Sequence, residues 1–197
     1  MILTTRRVSR TIKSAVFAST FVLTLAASAP DALPQTTAVA TPDKGVIAYG
    51  GDVGVLFPDE EFEDTLTWDA YGEYYVHPRI SVRGMFVWAN PGVTNRTEDH
   101  FRQVKLLFGG AYNFKYKLLR PFAEGGAGVH FVRLKRFDAP DPDGETRGGL
   151  YFGGGSDIVL TKESAIKVEL RWDVVSQPTG FPDATSASLT FGYKRYF

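Results

Sequence analysis

From Lys44 onward, hydrophobic and polar residues alternate with a period of two, and no stretch sustains the 3.6-residue period of a helix. The clearest run is Ile166, Val168, Leu170, Trp172 and Val174, interleaved with Lys167, Glu169, Arg171 and Asp173. Successive side chains of a strand point to opposite faces, so this run has one apolar and one charged face. The same alternation sets Val104, Leu106, Phe108, Gly110, Tyr112, Phe114 and Tyr116 against Gln103, Lys105, Leu107, Gly109, Ala111, Asn113 and Lys115. It sets Trp68, Ala70, Tyr74 and Val76 against Asp69, Tyr71, Glu73 and Tyr75. It also sets Ala123, Ala127, Val129 and Phe131 against Glu124, Gly126, Gly128 and His130. The pattern predicts eight strands, over 45–57, 65–77, 79–89, 101–116, 121–135, 148–160, 165–175 and 186–197. Each is long enough for a tilted membrane-crossing strand.

The connections alternate in length. Those at 77–78, 117–120 and 161–164 are short, whereas those at 58–64, 90–100, 137–147 and 176–185 are longer and polar. An even number of strands, with tight turns at one end and longer loops at the other, predicts an all-β fold: an eight-stranded antiparallel transmembrane up-and-down β-barrel with both termini at the turn end. Alternation alone does not say which face is inside. A soluble barrel would bury the apolar face around a hydrophobic ligand, and a membrane barrel would turn it to lipid.

Three features favour the membrane arrangement. Aromatic residues fall toward strand ends, with Phe57, Trp68 and Trp88 near the loops and Tyr49, Tyr74, Phe114, Tyr116, Tyr193 and Phe197 near the turns, as two interfacial girdles require. The polar face carries both signs of charge in mid-strand. That face also holds Gly126, Gly128, Gly153 and Gly155, the small residues a narrow interior needs beside long charged ones. The expected lumen residues are Asp69, Glu73, Arg83, Lys105, Glu124, His130, Lys167, Glu169, Arg171 and Asp173. They read as an ion-paired plug that fixes strand register, with a gated ion path as the alternative. His130 is expected near Glu124 and Asp157.

Composition narrows the chemistry. The 197 residues include no Cys, which excludes disulfides, Cys-ligated zinc and thiol nucleophiles. Arg6, Arg7, Arg10 and Lys13 precede an apolar, small-residue stretch from Ala15 to Ala29, the form of a secretory signal peptide. Residues 1–29 are therefore expected to be removed, with cleavage as late as residue 40 an alternative, and 30–43 to form a disordered linker before the barrel at 44–197. Lys+Arg and Asp+Glu are equal at 22 each, so losing the four basic leader residues leaves a slightly acidic chain with no footprint for nucleic acid. The acidic loop residues Asp59, Glu60, Glu61, Glu63, Asp64, Asp138, Asp141, Asp143 and Glu145 read as a solvated surface. A divalent-cation site bridging lipopolysaccharide phosphates is the alternative. The Gly pairs open no helix and so are not phosphate cradles. The histidines are His77, His100 and His130, and none has a sequence context that pairs it with a nucleophile.

The last eight residues, Thr190-Phe191-Gly192-Tyr193-Lys194-Arg195-Tyr196-Phe197, resemble the C-terminal assembly signal of bacterial outer-membrane barrels through Thr190, Gly192 and Phe197. The segment Pro121-Phe122-Ala123-Glu124-Gly125-Gly126-Ala127-Gly128 is similar to a stretch common in such barrels. With the strand pattern, residues 44–197 resemble the small eight-stranded outer-membrane β-barrel family, which includes OmpX and the membrane domain of OmpA. The resemblance implies an outer-membrane location, contact with outer-membrane lipid and lipopolysaccharide, and handling by the barrel assembly machinery. It implies a monomer with a structural or surface-interaction role in the envelope, or else a narrow porin-like channel for ions or small solutes. Some barrels of similar architecture are lipid-modifying enzymes with a His-x-Ser pair near the last hairpin. The corresponding stretch here is Arg171-Trp172-Asp173-Val174-Val175-Ser176, and no His follows His130. The expectation is therefore no enzyme, no cofactor, no metal site and no peptidoglycan-binding domain.

Overall fold

A computed structural model describes residues 42–58, 62–93, 96–114, 118–135, 144–176 and 185–197. The leader, most of the linker, Tyr116, and the loop acids Asp59, Glu60, Glu61, Asp138, Asp141 and Asp143 lie outside the described residues. The elements are β1 (Ile47–Pro58), β2 (Thr65–His77), β3 (Ile80–Ala89), β4 (Gly92–Val93), β5 (Arg96–Asn113), β6 (Leu119–Lys135), β7 (Glu145–Thr161), β8 (Ser164–Val175) and β9 (Ser186–Tyr196). Consecutive strands pair antiparallel except β3 and β4, and two further pairings complete the ring. β3 bonds β5 directly, from Ile80↔Tyr112 to Ala89↔Gln103. β1 bonds β9, from Ala48↔Tyr196 to Pro58↔Ser186. The sheet is therefore a closed barrel of eight strands, with β4 a two-residue flap on the loop end of β5.

Most strand bounds fall within two residues of the sequence pattern, and two strands differ by more. β5 runs over Arg96–Asn113 rather than 101–116, and β7 over Glu145–Thr161 rather than 148–160. At the loop end, β5 and β7 continue pairing with β6 through residues that the pattern assigns to polar loops. Backbone pairing satisfies N–H and C=O groups whatever the side chains outside do, so polarity does not end a strand once its partner is present.

The faces are resolved by burial. In β2, Thr67, Asp69, Tyr71, Glu73 and Tyr75 are buried, while Leu66, Trp68, Tyr74 and Val76 are exposed. The outer surface carries Leu66 at 76 %, Phe108 at 67 % and Leu150 at 63 % exposure, while Arg83, Lys105, Lys167, Arg171 and Lys194 are fully buried. A water-soluble barrel would show the opposite sorting. The apolar exterior and charged interior make this a transmembrane barrel. Within β3 the inward face also holds Met85 and Val87, which pack with Tyr71, Leu107 and Tyr151.

Phe108→Arg places a charge on the lipid face and should destabilise the barrel in bilayers by about 2–4 kcal/mol if it lies near the midplane. Urea unfolding in lipid vesicles measures this, and an unchanged midpoint would contradict a lipid-facing Phe108.

Candidate functional site

The inward side chains form one connected network of charge. β8 provides its spine, because Lys167, Glu169, Arg171 and Asp173 occupy four successive inward positions. Lys167 Nζ lies 2.5 Å from Asp52 Oδ2 and 2.7 Å from Glu169 Oε2. The Arg171 guanidinium reaches Glu169 at 3.0 Å, Asp69 at 3.5 Å and Asp173 at 3.9 Å. Lys105 Nζ donates to Asp173 at 2.5 Å and to Ser186 Oγ at 3.2 Å.

Arg83 is the hub on the opposite wall. Its Nη1 contacts Glu124 at 2.5 Å and Glu169 at 3.1 Å, and its Nη2 contacts Glu73 at 3.3 Å. Glu73 is the register partner of Arg83 on β2, and its other oxygen accepts from Ser81 Oγ. Lys194 then links Glu73 at 2.9 Å to Asp157 at 2.6 Å, and Tyr196 OH donates to Asp157 at 3.1 Å. The chain of contacts takes at least one side chain from every barrel strand: Asp52, Asp69, Arg83, Lys105, Glu124, Asp157, Glu169 and Lys194.

Among the described residues, the buried charges balance in sign. Asp52, Asp69, Glu73, Glu124, Asp157, Glu169 and Asp173 face Arg83, Lys105, Arg120, Arg147, Lys167, Arg171 and Lys194, all buried. Balance matters because a buried ion without a counter-charge costs several kcal/mol. Two tyrosines complete the packing. Tyr71 lies over Gly50, where any Cβ would strike its ring, and its own face receives Lys167 Nζ at 4.0 Å and the Arg83 guanidinium at 5.1 Å. Tyr151 lies over Gly109 and Gly126 in the same way. Glycine is required at these inward positions to let a ring rest against the wall.

Among the described residues, a hydrophobic cluster lies at each end of the lumen. At the loop end, Phe62 packs with Phe101, Val132 and Val175, its ring 4.6 Å from that of Phe101. Backbone bonds anchor this cap, from Glu63 N–H to Gly92 O and from Phe101 N–H to Pro91 O. At the turn end, Tyr75 and Tyr196 pack with Ala48 and Ala165.

The ten lumen residues proposed from sequence all lie inside. The network also draws on Asp52 and Lys194, which the pattern did not single out, and on Asp157, expected only as a neighbour of His130; Arg120 and Arg147 are buried as well. Asp52 sits among glycines, Lys194 lies inside the C-terminal segment, and Arg120 and Arg147 fall in stretches assigned to connections. His130 is not beside Glu124 or Asp157. It is buried opposite Lys105 and Arg147 in the register, with its ring against Gly149. Neither ring nitrogen has a hydrogen-bond partner among the described residues.

The aromatic positions lie on the outer surface. Tyr49 stacks on Phe197 at 4.9 Å, and Tyr74, Phe114 and Tyr193 are exposed at the turn end. Trp68 and Trp88 lie 6.1 Å apart at the loop end, where Phe57 is half-buried. Thr190 points inward and is buried, Gly192 gives room to the Asp52 carboxylate, and Phe197 exchanges backbone hydrogen bonds with Ile47.

Arg171→Ala leaves Asp69, Glu169 and Asp173 short of a counter-charge and should cost about 3–5 kcal/mol. Exchanging the Lys105–Asp173 pair for Met and Leu should be close to neutral by comparison, since both charges leave together. Unfolding midpoints of the refolded variants measure the difference, and equal losses would refute the network reading.

No protein-family model matches the chain, and no curated protein matches it in sequence. Solved structures do match in shape. Neisserial surface protein A superposes with a TM-score of 0.66 at 11 % identity, over 78 % of this chain and 100 % of that one. Ail, the attachment invasion locus protein of Yersinia pestis, gives 0.56 at 12 % identity, over 78 % and 99 %. The outer membrane protein OprG of Pseudomonas aeruginosa gives 0.57 at 10 % identity, over 79 % and 97 %. At these identities the likeness is one of fold, and the chain has the fold of the small eight-stranded outer-membrane β-barrels.

Proposed function

We propose that this chain is a plugged outer-membrane scaffold with a structural or surface-interaction role in the cell envelope. The observation that carries this reading is the lumen itself, a charge-balanced network drawn from all eight strands and capped by Phe62, Phe101, Val132 and Val175. An eight-stranded interior is just wide enough for its own side chains, whereas open water channels accompany about 16 strands. A network with both signs held in contact gives no continuous path of one sign for an ion to follow.

The reading includes export by the N-terminal leader and insertion by the barrel assembly machinery, with Thr190, Gly192 and Phe197 as the assembly signal. It places a monomer in contact with outer-membrane lipid and lipopolysaccharide. The longer connections then face outward and the short turns face the periplasm. The reading includes no catalysis: His130 is the one buried histidine among the described residues, and neither ring nitrogen has a hydrogen-bond partner there that would make a nucleophile–base pair.

Planar-bilayer recording of the refolded chain, with a heat-shift gel to verify folding, tests this. The parent barrel should be silent. Glu124→Ala, which frees Arg83 from one partner, should give unit conductance steps. Stable steps from the parent chain would instead make it a narrow channel for ions or small solutes and turn the charged lumen into its selectivity element.

A further inference from the structure

His130 is the buried titratable side chain that the ion-pair network leaves out. It is closed off from solvent, and neither ring nitrogen has a hydrogen-bond partner among the described residues. Buried polar groups are normally hydrogen-bonded, so an imidazole held in this way calls for a reason. The register sets Lys105 of β5 on one side of it and Arg147 of β7 on the other. β8 presents Asp173 and Arg171 to the same ring. β9 adds Ser186, bonded to Lys105, and β3 adds only Val87, the other register partner of Lys105. The nearby acids are already committed. Asp173 holds Lys105 at 2.5 Å and lies 3.9 Å from Arg171, and Glu145 holds Arg147 at 3.0 Å. A proton on His130 would add a cation beside three others, with no uncommitted acid among these neighbours to meet it. The ring also rests against Gly149, where a Cβ would come within 2.7 Å of Nε2, so it cannot retreat toward that wall.

This charged layer lies directly beneath the loop-end cluster. Val132 follows His130 by two residues on β6, and Val175 follows Asp173 by two on β8; both pack with Phe62 and Phe101. A two-residue step along a strand is roughly 6.6 Å. The four side chains of the cluster come from four separate segments: the β1–β2 connection, β5, β6 and β8. Whatever spreads the layer below them also separates them.

We propose that His130 is the proton sensor of an acid-opened pore. Protonation sets Lys105, His130 and Arg147 in mutual repulsion, the layer spreads at the loop end, and the Phe62 cluster opens to ions. Free imidazole titrates between about pH 5 and 8, and here the surroundings penalise only its charged form. The closed state therefore holds at neutral pH and is lost as pH falls. The inference rests on the plugged reading, because a barrel that conducts at neutral pH has no closed state to open.

Planar-bilayer recording of the refolded chain, stepped from about pH 7.5 down to about pH 4, tests this. The parent chain should be silent at first and then open in unit steps. The ratio of open to closed time should rise by about tenfold per pH unit before it saturates, as uptake of one proton requires, and should reverse when the pH is restored. His130→Gln, which takes up no proton, should stay silent throughout, and His130→Arg should conduct already at neutral pH. A heat-shift gel at each pH verifies that the barrel is intact. Acid opening that persists in His130→Gln would assign the response to carboxylates such as Asp173 and overturn the sensor. A folded parent chain that is silent at every pH, or a folded, silent His130→Arg, would overturn it too and leave the plugged reading standing. Steps from the parent chain at neutral pH would sink the plugged reading and this inference together.

Discussion

A peptide group facing hydrocarbon has no water to bond, and that single constraint organises the molecule. Each strand can satisfy its N–H and C=O groups only on a neighbour, so no strand may be left at an edge. The seam between β1 and β9 discharges this requirement. It pairs residues from Ala48 to Pro58 with residues from Tyr196 back to Ser186, and the Ile47–Phe197 backbone bonds finish it at the turn end. Once the ring is closed, each residue of a strand faces either lipid or lumen, and the period-two alternation becomes a division between two solvents.

Closure also creates the second problem, which is how to fill a narrow interior. The solution is a mixture of long charged side chains and glycines. Tyr71 and Tyr151 rest on walls where any Cβ would collide, and cations stack against Tyr71 from inside the barrel. The charged groups must balance because water cannot freely solvate them, and among the described residues seven buried acids face seven buried bases. Such a filling ties strands together that the backbone does not pair: Arg83 of β3 contacts Glu124 of β6 and Glu169 of β8, neither of which neighbours it in the sheet. Interior ion pairing therefore braces the ring across its diameter, while backbone pairing holds it around the circumference.

The same division explains why the two surfaces suggest different roles. The interior pairs its charges with one another across the lumen. The exterior is apolar, with aromatic residues toward both ends of the strands.

Much of this was legible in the residues alone. The alternation of Lys167, Glu169, Arg171 and Asp173 with Ile166, Val168, Trp172 and Val174 determined a two-faced strand, and eight such runs with alternating turn lengths determined the barrel, because side-chain direction follows from backbone geometry. Other features required the closed ring. Asp52 gave no signal among its glycines, and Lys194 lay within a segment read for another purpose; their roles depend on partners from distant parts of the chain. His130 was placed beside the wrong neighbours, since sequence proximity to Glu124 puts it far along the same strand while register puts it against Lys105 and Arg147. Phe62 looked like a loop residue and caps the lumen instead. Periodicity fixes which way a side chain points; register and curvature, set only when all eight strands close, decide which side chain it meets.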